Sequence, residues 1–547
     1  MNIKHYIATL FLILFTSISS FACTGFLIGR NASADGSTMI TYAADSHLLY
    51  GELYEFPAKD YPKGSMLNIY EWDTGKYLGA IPQVSHTYKV TGNMNEFQLS
   101  ISESTFGGRG ELVDTTGLID YGSLMYIALQ RARTAREAIT VMTELVEQYG
   151  YYSSGESFSI ADPKEVWIME MIGKGPRNKG AVWVAVRIPD DCIAAHANQA
   201  RIRTFPLEDK ENCLYSHDVI SFAREKGYFD GLNKDFSFAD TYAPLDFGSL
   251  RGCEARVWSF YNKFVDGMDK YLPYLNGEST EAIPLYMKPN RKLTINEVKN
   301  AMRDHFEGTP FDMTKDVGAG PYAVPYRWRP MNFTVDGQTY VNERAIATQQ
   351  TGFSFVAQMR SWLPNEIGGV LWFGVDDANT CVYVPLYNSI TEVPHSFKVG
   401  NGDMLTFSWS SAFWINNWIA NMAYHKYSYM IEDIRPLQKS LEKGFEDEQS
   451  AIDLAAMELY KKDRQSAIAF LNSYSNNKAQ TTFDSWKKMG EYLMVKYIDG
   501  NVKKEKEGRF LRNEYGTVPE SPNQPGYNEE YYRAIAKDAG ERLKVKE

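Results

Sequence analysis

The chain opens, past residue 22, on Cys23-Thr24-Gly25-Phe26-Leu27-Ile28-Gly29, in which Thr24, Phe26 and Ile28 alternate with the residues between them. Turn residues follow, Asn31-Ala32-Ser33-Ala34-Asp35-Gly36, and then a second apolar run from Thr38 to Tyr42. Two strand-length runs about an Asp-Gly pair predict a β-hairpin. It starts at Cys23 and brings Asp45, at the end of its second strand, back beside that start. A loop-rich stretch leads to an alternating strand at 97–102, ending in Glu103-Ser104-Thr105. From Asp120 to Tyr149, Leu124, Ile127, Ala128, Ala135, Ala138, Ile139, Met142 and Leu145 recur at helical spacing, and Gly150 closes the helix. Runs at 157–161, 166–172 and 181–188 predict a three-stranded meander, and 352–358 and 370–387 read as further strands. Beyond residue 405 the pattern turns helical, over 412–443, 447–474 and 480–499, and the last forty or so residues are polar. The β, α, β order predicts an α+β fold of packed layers. It comprises a main domain over 23–400 and a mainly helical C-terminal extension over 401–547.

The first 22 residues carry Lys4, an apolar core from Tyr6 to Ile18, and small residues at Ser20 and Ala22. That is the pattern of a signal peptide cleaved between Ala22 and Cys23, and it is too short for a comfortable membrane span. The expectation is a secreted or periplasmic protein with no stable span after cleavage. A competing reading makes Cys23 the lipidated residue of a surface or binding protein without chemistry. The lipoprotein pattern wants Leu at −3 and a small residue at −2, where this chain has Ser20 and Phe21.

Hydrophobic residues at 44% and charged residues at 23% describe an ordinary globular protein, so a large core is expected. A net charge of −11 argues against nucleic acid as a partner. Aromatics at 14% suit broad sheets and a lined cleft. In an oxidising compartment Cys192, Cys213, Cys253 and Cys381 can form two disulfides, in three possible connectivities, or stay as buried thiols. Either way Cys23 is the odd cysteine, which permits a free thiol there.

An N-terminal cysteine holds two catalytic groups. Its thiolate is a strong nucleophile. Its α-amine, with a reference pKa of about 7.7–8.0, can take the thiol proton at neutral pH, so no histidine base is needed. Asp45, returned by the hairpin, can orient that amine. His-Glu-x-x-His, Cys-x-x-Cys, Gly-x-Ser-x-Gly, phosphate-loop and dinucleotide patterns do not occur. His196, alone in Ala195-His196-Ala197-Asn198, reads first as a structural histidine.

These residues resemble the PepD-type dipeptidases, N-terminal-nucleophile cysteine hydrolases related to penicillin V acylase and bile salt hydrolase. The likeness runs through Cys23–Gly29, Ala34-Asp35-Gly36-Ser37, Asp45-Ser46, Gly92-Asn93-Met94-Asn95-Glu96, Asp120-Tyr121-Gly122 and Gly155-Glu156-Ser157-Phe158. It continues through Ala195–Ile202 and Cys253-Glu254-Ala255-Arg256-Val257-Trp258. The resemblance implies a four-layer αββα sandwich that hydrolyses dipeptides without metal or organic cofactor, with small peptides as partners. By position it matches Cys23 to the nucleophile, Asp45 to the amine-orienting aspartate, Asn198 to the oxyanion asparagine and Arg256 to the site arginine. Glu103, Ser104 and Thr105 are candidate substrate-binding residues. An N-acyl amide acylase with the same site is the alternative. One departure stands out: the family often has an arginine three residues before the aspartate, and here that residue is Tyr42.

Overall fold

The computed structural model describes residues 23–519 and 523–546. The predicted signal segment lies outside the described residues. The hairpin forms as expected, from Gly25–Ile28 (β1) and Thr38–Asp45 (β2). All residues of both strands are buried, which is what strands covered on both faces require.

β1 and β2 sit inside a seven-stranded sheet. Its order is Tyr286–Met287, Ile193–His196, β1, β2, Thr351–Met359, Gly369–Val375 and Val384–Tyr387. A second, eight-stranded sheet holds the meander, Gly155–Ala161, Val166–Gly173 and Ala181–Arg187, with Ser100–Gly107 beside it. The pairings within both sheets are antiparallel. Strands Ser100–Gly107 and Gly155–Ala161 contact β2 across the gap, so the sheets face one another.

Strand Val166–Gly173 shows how one sequence serves two cores. Val166, Ile168 and Ile172 pack between the sheets, whereas Trp167, Met169 and Met171 pack outward with helices Tyr121–Arg131 (α1) and Ala135–Tyr149 (α2). The two-residue period of a strand separates the sets. On the far side, helices Ala412–His425, Tyr427–Tyr460 and Arg464–Tyr497 cover Gly369–Val375 and Val384–Tyr387. The result is a mixed α/β protein of antiparallel sheets with a helical C-terminal region.

Several boundaries differ from the sequence reading: β1 begins at Gly25 rather than Cys23, and the run expected over 370–387 is two strands. The helix expected over 120–149 is two helices. Thr134 Oγ1 accepts from the Glu137 N–H at 3.2 Å and starts α2 afresh, although the apolar period carries across the break. The strand expected over 97–102 begins at Ser100 and runs on through Glu103-Ser104-Thr105. Asn95 Oδ1 accepts from the Phe97 and Leu99 N–H groups, and Gln98 adopts φ 63°, so 97–99 form a turn. In the helical region the breaks fall at Lys426 and near Asp463, whose carboxylate caps the last long helix. All five cysteines are free thiols. No helix among the described residues is long and apolar enough to cross a membrane.

Candidate active site

The backbone around Cys23 is fixed from three sides. Thr24 N–H donates to the Ala43 carbonyl at 3.2 Å, which pins the start of β1 against β2. Gly25 lies opposite His196 on the neighbouring strand. A β-carbon on Gly25 would come within 2.6 Å of the imidazole, so only glycine admits this approach. The Arg256 guanidinium donates to the Cys23 carbonyl at 2.8 Å and to Thr24 Oγ1 at 2.7 Å. Arg256 follows a π-turn at Leu250–Glu254, and its Nε bonds the Gly252 carbonyl at 2.7 Å. Its Nη2 reaches Asn198 Oδ1 at 2.8 Å. One buried arginine therefore ties Cys23 to Asn198, two residues that lie far apart in the chain.

The Cys23 thiol, only 4% exposed, opens into a pocket. Tyr42, Asp45, Asp73, Glu103 and Tyr121 line it, with Trp72, Tyr126 and Phe353 as aromatic walls. Among the described residues, none that lines it is a lysine or arginine. Cys23 Sγ lies 3.3 Å from Glu103 Oε1 and 3.9 Å from the Tyr42 hydroxyl, and that hydroxyl donates to the same Glu103 oxygen. Where an arginine was expected, this chain thus sets a phenol on a buried carboxylate. Burial pushes the Cys23 thiol well above its ordinary range, and the charges of Glu103 and Asp45 push it further. The thiol is therefore held in its protonated form.

Glu103 is one of a pair. Burial raises both carboxyls, and the Glu103 charge pushes Glu156 further, well above the carboxylate range, so Glu156 is the one that keeps its proton. Oε2 of Glu103 and Oε2 of Glu156 find no other donor among the described residues. The Glu156 proton, shared between the two carboxyls, satisfies both. Two like charges so close do not both ionise.

Asp45 is fully buried and ion-paired with Arg344, and Thr351 Oγ1 donates to it at 2.7 Å. Burial still raises its pKa, with Arg344 opposing. Asn198 follows the strand Ile193–His196 in a left-handed turn (φ 58°), and its Nδ2 donates to the Thr105 carbonyl at 2.7 Å. Cys23, Asp45 and Glu103 thus line one pocket, and Asn198 and Arg256 are joined to it through the Cys23 backbone. Ser104 and Thr105 turn elsewhere. Ser104 Oγ bonds His196 Nδ1 at 2.6 Å, and Thr105 Oγ1 donates to Glu156 at 2.8 Å. His196 is structural as expected: Ser159 Oγ meets its Nε2 at 2.7 Å, and burial with Arg201 and Arg256 pushes its pKa down to about 3.

Sequence reasoning missed Arg344, Glu156 and Asp73. Asp73 sits beside Trp72 at a turn, where Tyr121 donates to it at 2.9 Å. Burial, with Asp120 and Glu71 nearby, pushes its pKa up to about 6. Glu156 was within reach, because the register sets Thr105 opposite it on the adjoining strand.

Residues 22–440 match the description "Peptidase family C69". The chain belongs to peptidase family C69. It is accordingly a hydrolase acting on peptide bonds. Among curated relatives, a protein named "Probable dipeptidase" from Latilactobacillus sakei is 25% identical over 476 residues, covering 83% of this chain and 91% of that protein. Another "Probable dipeptidase", from Salmonella dublin, is 27% identical over 68% of this chain and 81% of its own length. "Dipeptidase A" of Lactobacillus helveticus is 25% identical, over 74% and 82% respectively.

Proposed function

We propose that this C69 peptidase is a secreted or periplasmic cysteine dipeptidase of the N-terminal-nucleophile type, made active by removal of residues 1–22. The observation that carries the reading is the position of Cys23. Its thiol opens into the pocket, its backbone is held by β2 and Arg256, and the family match begins one residue before it. Cleavage there frees an α-amine in a fixed place, next to the strand that ends in Asp45.

In the proposed reaction the Cys23 amine takes the thiol proton, and sulfur attacks the peptide carbonyl. The oxyanion is assigned to Asn198, which Arg256 ties to the Cys23 backbone. The tetrahedral adduct collapses to a thioester, and the Cys23 ammonium returns its proton to the leaving amine. Water, giving its proton to the same amine, attacks the thioester and releases the acid and the thiol. Asp45, neutralised by Arg344, orients the amine without adding an uncompensated charge. Arg256 is too committed to backbone carbonyls, Thr24 and Asn198 to take a substrate carboxylate.

The test compares three proteins on a dipeptide panel: mature protein from Cys23, Cys23→Ala, and a form keeping one extra residue before Cys23. Only the first is expected to turn over substrate. Full activity of the extended form would refute the amine mechanism, and full activity of Cys23→Ala would refute the assignment. Intact mass beginning at an unmodified Cys23 checks the cleavage and separates it from lipidation.

A further inference from the structure

A second, larger cavity adjoins the Cys23 pocket, and Ser46 and Leu49 line both. The two cavities differ in charge. The Cys23 side presents Asp73 and Glu103, with Asp45 neutralised by Arg344. The adjoining side presents Arg329.

Arg329 is set apart from the other site arginines by its partner. Its Nε and Nη2 both donate to Gln350 Oε1, at 3.0 and 2.6 Å, and neither bond uses Nη1. The partner is a neutral amide, and the described residues place no carboxylate in ion-pair contact with Arg329. Arg344 and Arg256, by contrast, are committed to Asp45 and to the Cys23 backbone. The other titratable groups lining this cavity carry little charge at neutral pH. Asp376 is buried and its pKa is pushed up to about 8, and His47 is pushed below its usual range by partial burial and by Arg329 itself. A half-buried guanidinium facing a cavity without a counter-ion is a site for an anion.

We propose that Arg329 receives the free α-carboxylate of the substrate while Asp73 and Glu103 receive its α-ammonium, so that a zwitterion two residues long spans both cavities with its one peptide carbonyl at Cys23. The inference rests on the dipeptidase reading and adds what measures the substrate's length and direction. The acid-to-base order of the cavities orients the peptide amino end first. Trp72, Tyr121 and Tyr126 give the ammonium aromatic walls, an environment that favours a cation. A third residue would carry the carboxylate roughly 3.5 Å past Arg329 and put a neutral peptide group in its place.

The experiment compares kcat/KM for one dipeptide and for its C-terminal amide, in the mature protein and in R329Q and R329K. Mature protein is expected to prefer the free acid by roughly 10- to 100-fold, the range of one charge-assisted pair. R329Q should bring that ratio close to one, mainly through KM on the acid, and R329K should keep part of it. Calorimetry of acid and amide on Cys23→Ala, with and without R329Q, reads the same preference without turnover. Thermal melting of each variant checks folding. A ratio unchanged in R329Q, or acid and amide weakened equally by both R329Q and R329K, overturns the role of Arg329 while leaving the dipeptidase reading in place. If mature protein hydrolyses neither the acid nor the amide, that reading itself fails.

Discussion

Replacing Glu103 by glutamine removes the anion nearest the nucleophile while keeping its shape. Glu103 Oε1 lies 3.3 Å from Cys23 Sγ. At an effective dielectric of about 20, two unit charges at that separation repel by about 5 kcal/mol. That is the cost Glu103 adds to forming the thiolate, before relaxation and the Tyr42 bond reduce it. Relief of even a third of it multiplies the thiolate fraction at fixed pH by roughly tenfold, since about 1.4 kcal/mol is a factor of ten. Iodoacetamide alkylation of Cys23 at pH 7, followed by mass spectrometry, should therefore be at least about tenfold faster in E103Q than in the parent. Glu156, freed of its like-charged neighbour, can then ionise and restore part of the repulsion. The E103Q/E156Q pair removes this compensation and should react faster still. Dipeptide KM should rise in both, because the ammonium loses a partner. Alkylation that is unchanged or slower in both variants would refute the view that Glu103 holds the thiol protonated.

Arg344→Met leaves Asp45 buried without its cation, a loss of about 3–5 kcal/mol at neutral pH by urea unfolding. The unpaired Asp45 takes up a proton as pH falls, so the deficit should shrink from pH 7 to pH 5. Arg256→Lys cannot bridge the Cys23 carbonyl, Thr24 and Asn198 at once, and kcat should fall by more than tenfold with KM little changed. Asp73, with its pKa pushed up to about 6, is neutral below that pH. Dipeptide KM should therefore rise as pH drops from 7 to 5, and D73N should raise KM and flatten that dependence.

What the sequence made legible follows from what is local. The hairpin was readable because Asp35-Gly36 and two apolar runs lie within some twenty residues, and it delivered Cys23 and Asp45 together. The meander and the helical C-terminal region were readable for the same reason. The partner of Asp45 was not, because Arg344 lies 299 positions away in a stretch without strong periodicity. The helix break at Thr134 hid behind an apolar period that continues through it. Tyr42 was visible as a departure, but that it answers to Glu103 depends on how the two sheets face one another. Ser104 and Glu103 looked equivalent in sequence, yet the strand's alternation sends Ser104 to His196 and leaves Glu103 with the thiol.

The central place of β2 sets an order of events during synthesis. β2 pairs on one side with β1, a few residues away, and on the other with Thr351–Met359, where Thr351 is 306 residues from the Asp45 it bonds. The hairpin can form early, but its second neighbour, and with it the Arg344 and Thr351 partners of Asp45, emerges only after nearly two thirds of the chain has been made. Pairing over such separations is slow and comes late in folding. A nascent chain therefore carries Cys23 in an unassembled pocket. On the proposed reading, a chain cannot hydrolyse peptides until the sheet closes, so completion of the fold would itself delay activity.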